Sequence, residues 1–301
     1  MSATAFLFPG QGSQYVGMLK DFAESDPDSR AFIEHADNVL GIELSRICYS
    51  GPEEILRQTE YTQPAIFVHS IVVARKIQML KPDMVAGHSL GEYSALVSAG
   101  AIGFEDALRL VRLRGQLMQQ AGIERPGTMA AVVGLTPETV EGICTQASTA
   151  GVVQAANFNS PGQIVISGST EGVRKAMDIA RQQGAKMVKE LVVSGAFHSP
   201  LMESARNGLK GALDEADIRD AEIPIYTNVT AEPVTRAIEI RELLYQQLGK
   251  PVQWEQTMSN MKRDGATSFY ELGPGKVLQG LVKRTLDHVQ VGGFDKQKDI
   301  L

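Results

Sequence analysis

Short apolar runs alternating with longer amphipathic segments predict an α/β protein, and a change of rhythm across residues 126–194 predicts a smaller α+β unit set into it. Thr4–Phe8 reads as a strand ended by Pro9-Gly10. Ala65–Leu80 has helical spacing and is broken by Lys81-Pro82, after which Asp83–Ala86 is a short apolar run stopping at Gly87. Leu90–Ala99 reads as a helix ended by Gly100, and Phe104–Ala121 as a strongly amphipathic helix closed by Gly122.

The middle of the chain follows a different order. Met129–Leu135 reads as a strand, and Thr136 caps a helix with Glu138 near its positive end. Val152–Ala156 and Gln163–Ser167 read as strands joined through the turn-rich Asn157–Gly162. Thr170–Gln183 reads as a helix ended by Gly184, and Lys186–Val193 as a last strand. This β-α-β-β-α-β order is that of the ferredoxin-like unit. Breakers flank it at Arg125-Pro126-Gly127 and Ser194-Gly195, so residues 126–194 are expected to form a small subdomain inserted into a large α/β domain of residues 1–125 and 195–301. Further strand signals stand at Ile223–Tyr226 and Ser268–Leu272.

Composition narrows the function classes. The 301 residues are 43% hydrophobic and 21% charged, which excludes a disordered chain, a collagen and a coiled coil. A net charge of −6 without a run of Lys and Arg argues against nucleic acid or a membrane surface as partner. Cys48 and Cys144 are too few for a disulfide scaffold or a cysteine zinc site. Met1–Leu7 lacks the features of a signal peptide, and no apolar stretch approaches the ~20 residues of a membrane span. A cytoplasmic location is expected.

Gly87-His88-Ser89-Leu90-Gly91 is a G-x-S-x-G pentapeptide between a predicted strand and a predicted helix. A serine on such a turn has strained backbone angles and no room for neighbouring side chains; its hydroxyl stands above the sheet and the next N–H points at a developing oxyanion. Ser89 is therefore the candidate nucleophile and needs a base. Of the five histidines, His35 is expected to be solvated and His69 to be packed in the core. His88 neighbours Ser89 and should point to the opposite face, supporting the site. His288 lies near the C-terminus, whereas His198 follows Ser194-Gly195-Ala196-Phe197 on a loop leaving a strand, the usual position of a catalytic group. No Asp or Glu falls in a motif that would orient His198, and a backbone carbonyl can hold its tautomer instead.

Arg114 lies on the apolar stripe of Ala107, Leu110, Val111, Leu117, Met118 and Ala121, whereas Arg109, Arg112 and Gln116 lie off it, where solvent is expected. A guanidinium on a core-facing stripe needs an anion. Two readings stand evenly: a structural one, in which an internal Asp or Glu pairs with it or the side chain snorkels to solvent, and a functional one, in which it clamps the carboxylate of a substrate. Gly10-Gln11-Gly12 follows a strand but lacks the third glycine of a dinucleotide loop, since Tyr15 stands there. Its N–H groups remain candidate oxyanion donors. Gly273-Pro274-Gly275-Lys276 fails the P-loop spacing, and no histidine–carboxylate spacing points to a metal.

Together these residues resemble the malonyl-CoA:acyl carrier protein transacylases of fatty-acid and polyketide synthesis. The resemblance runs over nearly the whole chain, through Phe8-Pro9-Gly10-Gln11-Gly12-Ser13-Gln14, Tyr61-Thr62-Gln63-Pro64-Ala65, Gly87 to Tyr93, Arg112-Leu113-Arg114-Gly115, Asn157 to Gln163, Gly195-Ala196-Phe197-His198, Gln247 to Trp254 and Gly273-Pro274-Gly275. It implies a hydrolase-like core with a parallel sheet plus the inserted ferredoxin-like subdomain. It also implies that Ser89 is acylated with His198 as base, that the N–H groups of Gln11 and Leu90 form the oxyanion hole, and that the backbone carbonyl of Gln247 orients His198. Arg114 would hold the malonyl carboxylate. Phe197 looks like the malonyl-type signature, and Asn159 and His88 would line or support the cleft. Malonyl-CoA is then a substrate, no cofactor is permanently bound, and the partner is a phosphopantetheinylated acyl carrier protein.

That carrier is acidic in this family's pathways, so a basic face is expected on this chain. The densest candidate is the second helix and last strand of the small unit, with Arg174, Lys175, Arg181, Lys186 and Lys189 against Asp178. Lys283 and Arg284 near the C-terminus are a second candidate. Relatives that hydrolyse acyl groups from carrier proteins keep the Ser and His but tend to lose the arginine, so Arg114 counts against that alternative. An ordinary serine esterase would explain neither Arg114 nor the inserted unit, and a non-catalytic carrier-binding scaffold would not need Ser89 and His198.

Overall fold

The computed structural model describes residues 3–300. Its strands, in chain order, are β1 (Ala3–Phe8), β2 (Met84–Gly87), β3 (Gly127–Val133), β4 (Val153–Ser160), β5 (Gln163–Ser169), β6 (Met187–Glu190), β7 (Ile225–Tyr226), β8 (Pro233–Val234), β9 (Ala266–Leu272) and β10 (Gln290–Phe294). They form two sheets. One has the order β10-β9-β1-β2-β7-β8 and is parallel except at β7–β8. The other has the order β4-β5-β3-β6 and is antiparallel throughout.

The six-stranded sheet is covered on both faces, as a parallel sheet requires. Phe6 and Phe8 pack with the helices Thr59–Lys76, Gly91–Ser98 and Phe104–Glu124, while Ala5 and Leu7 pack on the other side with Trp254, Met258, Leu278 and Leu281. β1 thus alternates between two cores, and its end and that of β2 deliver the Pro9–Ser13 loop and the Ser89 turn to the same edge. The helices Pro137–Ala147 and Thr170–Gln182 cover one face of the four-stranded sheet through Ala130, Val132, Ile164, Ile166, Val173 and Met177. Thr136 and Ser169 cap these helices by accepting the N–H groups of Thr139 and Gly172.

Several element bounds differ from the sequence reading for identifiable reasons. The helix expected to stop at Gly122 runs on to Glu124, because Gly122 serves close packing: a Cβ there would lie 2.2 Å from the Ser194 carbonyl oxygen. Asn157–Ser160 belong to β4 rather than to the turn, which is Pro161-Gly162 alone, since Asn157 also bridges to Val252. The helix assigned from Ala65 begins at Thr59 and contains Pro64 in its second turn. The last strand of the small sheet is only Met187–Glu190.

The glycines of the pentapeptide are fixed by backbone approach. A Cβ on Gly87 would lie 1.9 Å from the Gly91 carbonyl carbon, and one on Gly91 would lie 2.0 Å from the Phe8 carbonyl oxygen. Neither neighbour is a side chain that can swing away. Gly91→Ala is therefore expected to destabilise the protein by ~2 kcal/mol or more, read as a lower midpoint in urea unfolding.

Candidate active site

Ser89 occupies the turn between β2 and the helix Gly91–Ser98 with a φ of 52°, a strained angle for a side-chain-bearing residue. Asn228 holds the turn from behind: its Oδ1 accepts the Ser89 N–H at 2.6 Å and its Nδ2 donates to the Gly87 carbonyl at 2.6 Å. The Ser89 N–H is thereby used, which leaves the next one, that of Leu90, as the N–H following the nucleophile candidate.

His198 also has a positive φ, 55°, and is 3% exposed. Its Nε2 lies 2.8 Å from Ser89 Oγ and its Nδ1 lies 2.9 Å from the backbone carbonyl of Gln247. A carbonyl only accepts, so Nδ1 carries the proton and Nε2 is free to accept the serine proton. Burial, with the Arg114 charge nearby, pulls the His198 pKa down to about 3. The imidazole is therefore neutral across the physiological range, the state in which Nε2 can accept a proton. His69 is buried in the core as expected, with Nε2 2.7 Å from the Asp295 carbonyl, and His35 stands on the surface beside Glu105.

Arg114 is fully buried. It makes no direct ion pair among the described residues; the internal acid considered from the sequence is present only at longer range, as buried Glu92, whose charge and that of Arg114 act on one another. Neutral acceptors surround it instead: Nη1 donates to Gln63 Oε1 at 2.7 Å, and Nη2 donates to Gln247 Oε1 at 2.8 Å and to Ser89 Oγ at 3.0 Å. Its Nε has no partner. A guanidinium held in this way keeps its charge directed into the cleft beside the serine and can receive an anionic group there. Arg112, expected in solvent, is instead largely covered: it pairs with Glu60 at 2.9 Å and lies over the Tyr61 ring. Those partners come from the helix Thr59–Lys76, whose approach the periodicity of one helix does not reveal.

These groups line one cleft of about 220 Å³ between the two sheets. Gln11, Ser89, Leu90, Arg114, Phe197 and His198 come to it from the larger sheet's side, and Asn159 and Val165 from the smaller. Asn159 Oδ1 lies 2.8 Å from His88 Nε2, so these two residues join the sheets at the wall of the cleft. Sequence reasoning assigned no role to Gln63, Asn228 or Glu92. Gln63 carried the same signal as Arg114, a polar side chain within an apolar helix; Asn228 carried none, because its role arises only when the loop after β7 meets β2.

The basic residues divide between two faces. β6 pairs Ala131 with Lys189 and Val133 with Met187, placing these on the same side of the small sheet as Met129, which lines the cleft. The helix Thr170–Gln182 packs on the opposite side, and there Arg174 pairs with Glu190 and Arg181 with Asp178. The helical part of the expected basic face thus looks away from the cleft and is partly neutralised. Arg284 donates to Gln163 Oε1 at 2.6 Å, close to the cleft.

The model of the acyl transferase domain family matches residues 5–297. The malonyl CoA-acyl carrier protein transacylase of Bacillus subtilis is 46% identical over 287 residues, which cover 94% of this chain and 90% of that protein. The protein of the same name from Escherichia coli K12 is 43% identical, covering 98% of this chain and 97% of its own. The crystal structure of an acyl carrier protein S-malonyltransferase from Vibrio cholerae superposes with a TM-score of 0.95 at 41% identity over 99% of both chains. A malonyl-transacylase solved in complex with a type II polyketide acyl-carrier protein gives 0.96 at 39% identity, over 99% of this chain and 98% of that one. The chain belongs to the acyl transferases, and within them to the malonyl CoA-acyl carrier protein transacylase family.

The neutral His198 generates a pH prediction. The single-turnover acylation rate is expected to change little between pH 8 and pH 5, measured by rapid quench and intact mass. A histidine at the ordinary value would be only roughly 3% neutral at pH 5, so a rate falling in that proportion would contradict the burial effect.

Proposed function

We propose that this chain moves a malonyl group from coenzyme A to the phosphopantetheine thiol of an acyl carrier protein through a malonyl ester on Ser89. The arrangement that carries this reading is the contact of Ser89 Oγ with both His198 Nε2 and Arg114 Nη2. Ser89 Oγ attacks the thioester carbonyl carbon as its proton passes to His198 Nε2. The N–H groups of Gln11 and Leu90 receive the oxyanion. The C–S bond breaks, and the coenzyme A sulfur leaves with the proton from His198. The carrier thiol then gives its proton to His198, attacks the serine ester and restores Ser89. Arg114 exchanges its bond to Ser89 Oγ for the malonyl carboxylate, and the backbone carbonyl of Gln247 keeps His198 in the required tautomer throughout. Phe197 bounds the acyl site, and His88 with Asn159 braces its wall.

The architecture supports a hydrolase-like core of residues 1–125 and 195–301 carrying a ferredoxin-like insert of residues 126–194. The strand order of the insert, with its first and third strands central, is the observation behind this assignment. No helix among the described residues is long and apolar enough to cross a membrane. Coenzyme A thioesters and carrier proteins are reagents of the cytoplasm, which is the compartment this function requires.

Malonyl-CoA is expected to add one malonyl group to the wild-type protein and none to Ser89→Ala, read by intact-protein mass; a label retained in the variant would exclude the serine. In the same assay Arg114→Ala should lose malonyl transfer by ~2–5 kcal/mol while sparing acetyl transfer, because only the malonyl group brings a carboxylate. An equal fall for both acyl groups would make Arg114 purely structural.

The cleft-facing side of β6, with Lys189 beside exposed Met187, suits an acidic carrier better than the far helix. Lys189→Glu should raise the KM for the carrier protein and leave that for malonyl-CoA, whereas Lys175→Glu should alter neither. Added salt should bring the wild type toward the Lys189 variant, since exposed charges are screened within ~10 Å at 0.1 M. An unchanged carrier KM at low salt would exclude Lys189 and transfer attention to Lys283 and Arg284.

A further inference from the structure

Behind the groups that meet the reacting atoms stands one buried acid. Glu92 is 2% exposed and lies in the first turn of the helix Gly91–Ser98. Its Oε2 accepts from Gln247 Nε2 at 2.8 Å and from the Asn228 backbone N–H at 3.1 Å. Each of these residues grips the site in turn. Gln247 holds His198 through its backbone carbonyl and Arg114 through its side-chain oxygen, and its Nε2 also donates to the Ser89 carbonyl at 2.9 Å. Asn228 holds the Ser89 N–H.

We propose that Glu92 is a positioning residue: it fixes Gln247 and Asn228, and through them sets His198, Arg114 and Ser89 in register for acyl transfer. The proposal rests on the reading of those three residues given above. The geometry favours position over charge. Glu92 forms no direct ion pair with Arg114 among the described residues, although their charges act on one another; the groups it touches are two amide donors. Both donors converge on a single oxygen, so a carbonyl oxygen at that point would serve equally. A shorter side chain would not reach, even with its charge intact. The consequence for Arg114 is specific: with Nε2 of Gln247 held by Glu92 and the Ser89 carbonyl, the amide must turn its oxygen to the guanidinium. If Gln247 is released, the acceptor that aims Arg114 is lost.

Glu92→Gln and Glu92→Asp separate the possibilities. Single-turnover rates with malonyl-CoA and acetyl-CoA, read by intact mass, are expected to stay within about three-fold of wild type for Glu92→Gln and to fall roughly ten-fold or more for Glu92→Asp. The malonyl rate should fall more than the acetyl rate, because Arg114 serves only the former. In a Gln247→Ala background the effect of Glu92→Asp should shrink, since much of its route to the site is already gone. Full activity in Glu92→Asp with loss in Glu92→Gln would show that charge is what matters and overturn the proposal. Wild-type rates in both variants, with only a changed unfolding midpoint, would also overturn it by making Glu92 structural. A wild-type protein labelled on Ser89 while the Glu92 variants behave in either of these ways leaves the transferase reading standing. A wild type that accepts no malonyl group overturns both.

Discussion

A positive charge buried without a carboxylate in direct contact is the constraint around which this site is built. Arg114 lies inside the protein, and an uncompensated buried charge is costly. The fold meets that cost with oriented neutral oxygens from Gln63, Gln247 and Ser89. The same charge acts on its neighbours. It disfavours a second cation, helping to keep His198 neutral, and it donates to the Ser89 hydroxyl oxygen. Charge placement thus connects an anion-receptive guanidinium with a neutral imidazole at the same serine.

The second requirement is a serine turn that cannot relax. Gly87 and Gly91 let two backbone segments approach closer than any side chain permits, and Asn228 ties the Ser89 N–H and the Gly87 carbonyl to the loop after β7. Strain at Ser89 is held by packing on both sides rather than by the turn itself. The cleft walls then come from two sheets of different kind. The parallel sheet supplies rigid strand ends for the reacting groups, while the antiparallel sheet offers one face to its own helices and the other to the cleft. The Asn159–His88 contact spans the two. The side of β6 that carries Lys189 lies on the cleft side of the small sheet.

Local pattern makes much of this legible in advance. The α/β rhythm, the order of the inserted unit and the glycine spacing around Ser89 are properties of neighbours in the chain, governed by period, turn chemistry and the room around a backbone. Arg114 is visible for the same reason, since a charge on an apolar stripe is a contradiction within one helix. What the stripe leaves open is its partner: an internal acid and a substrate carboxylate satisfy the pattern equally well. Only the packing of the helices Thr59–Lys76 and Ala237–Gln247 against it shows that its companions are amides.

Tertiary structure alone decided the parts that depend on residues far apart in the chain. Asn228 reaches Ser89 across 139 positions and Gln247 reaches Glu92 across 155, and no sequence period records such meetings. The same holds for the basic residues: they lie close together along the chain, but a strand sends alternate side chains to opposite faces, and the pairing of β6 with β3 determines which face Lys189 takes. The sequence by itself determined which residue types were available and how each segment would fold. The long-range approach of those segments determined which polar atoms meet, because a hydrogen bond depends on distance and direction between atoms that the chain order does not specify.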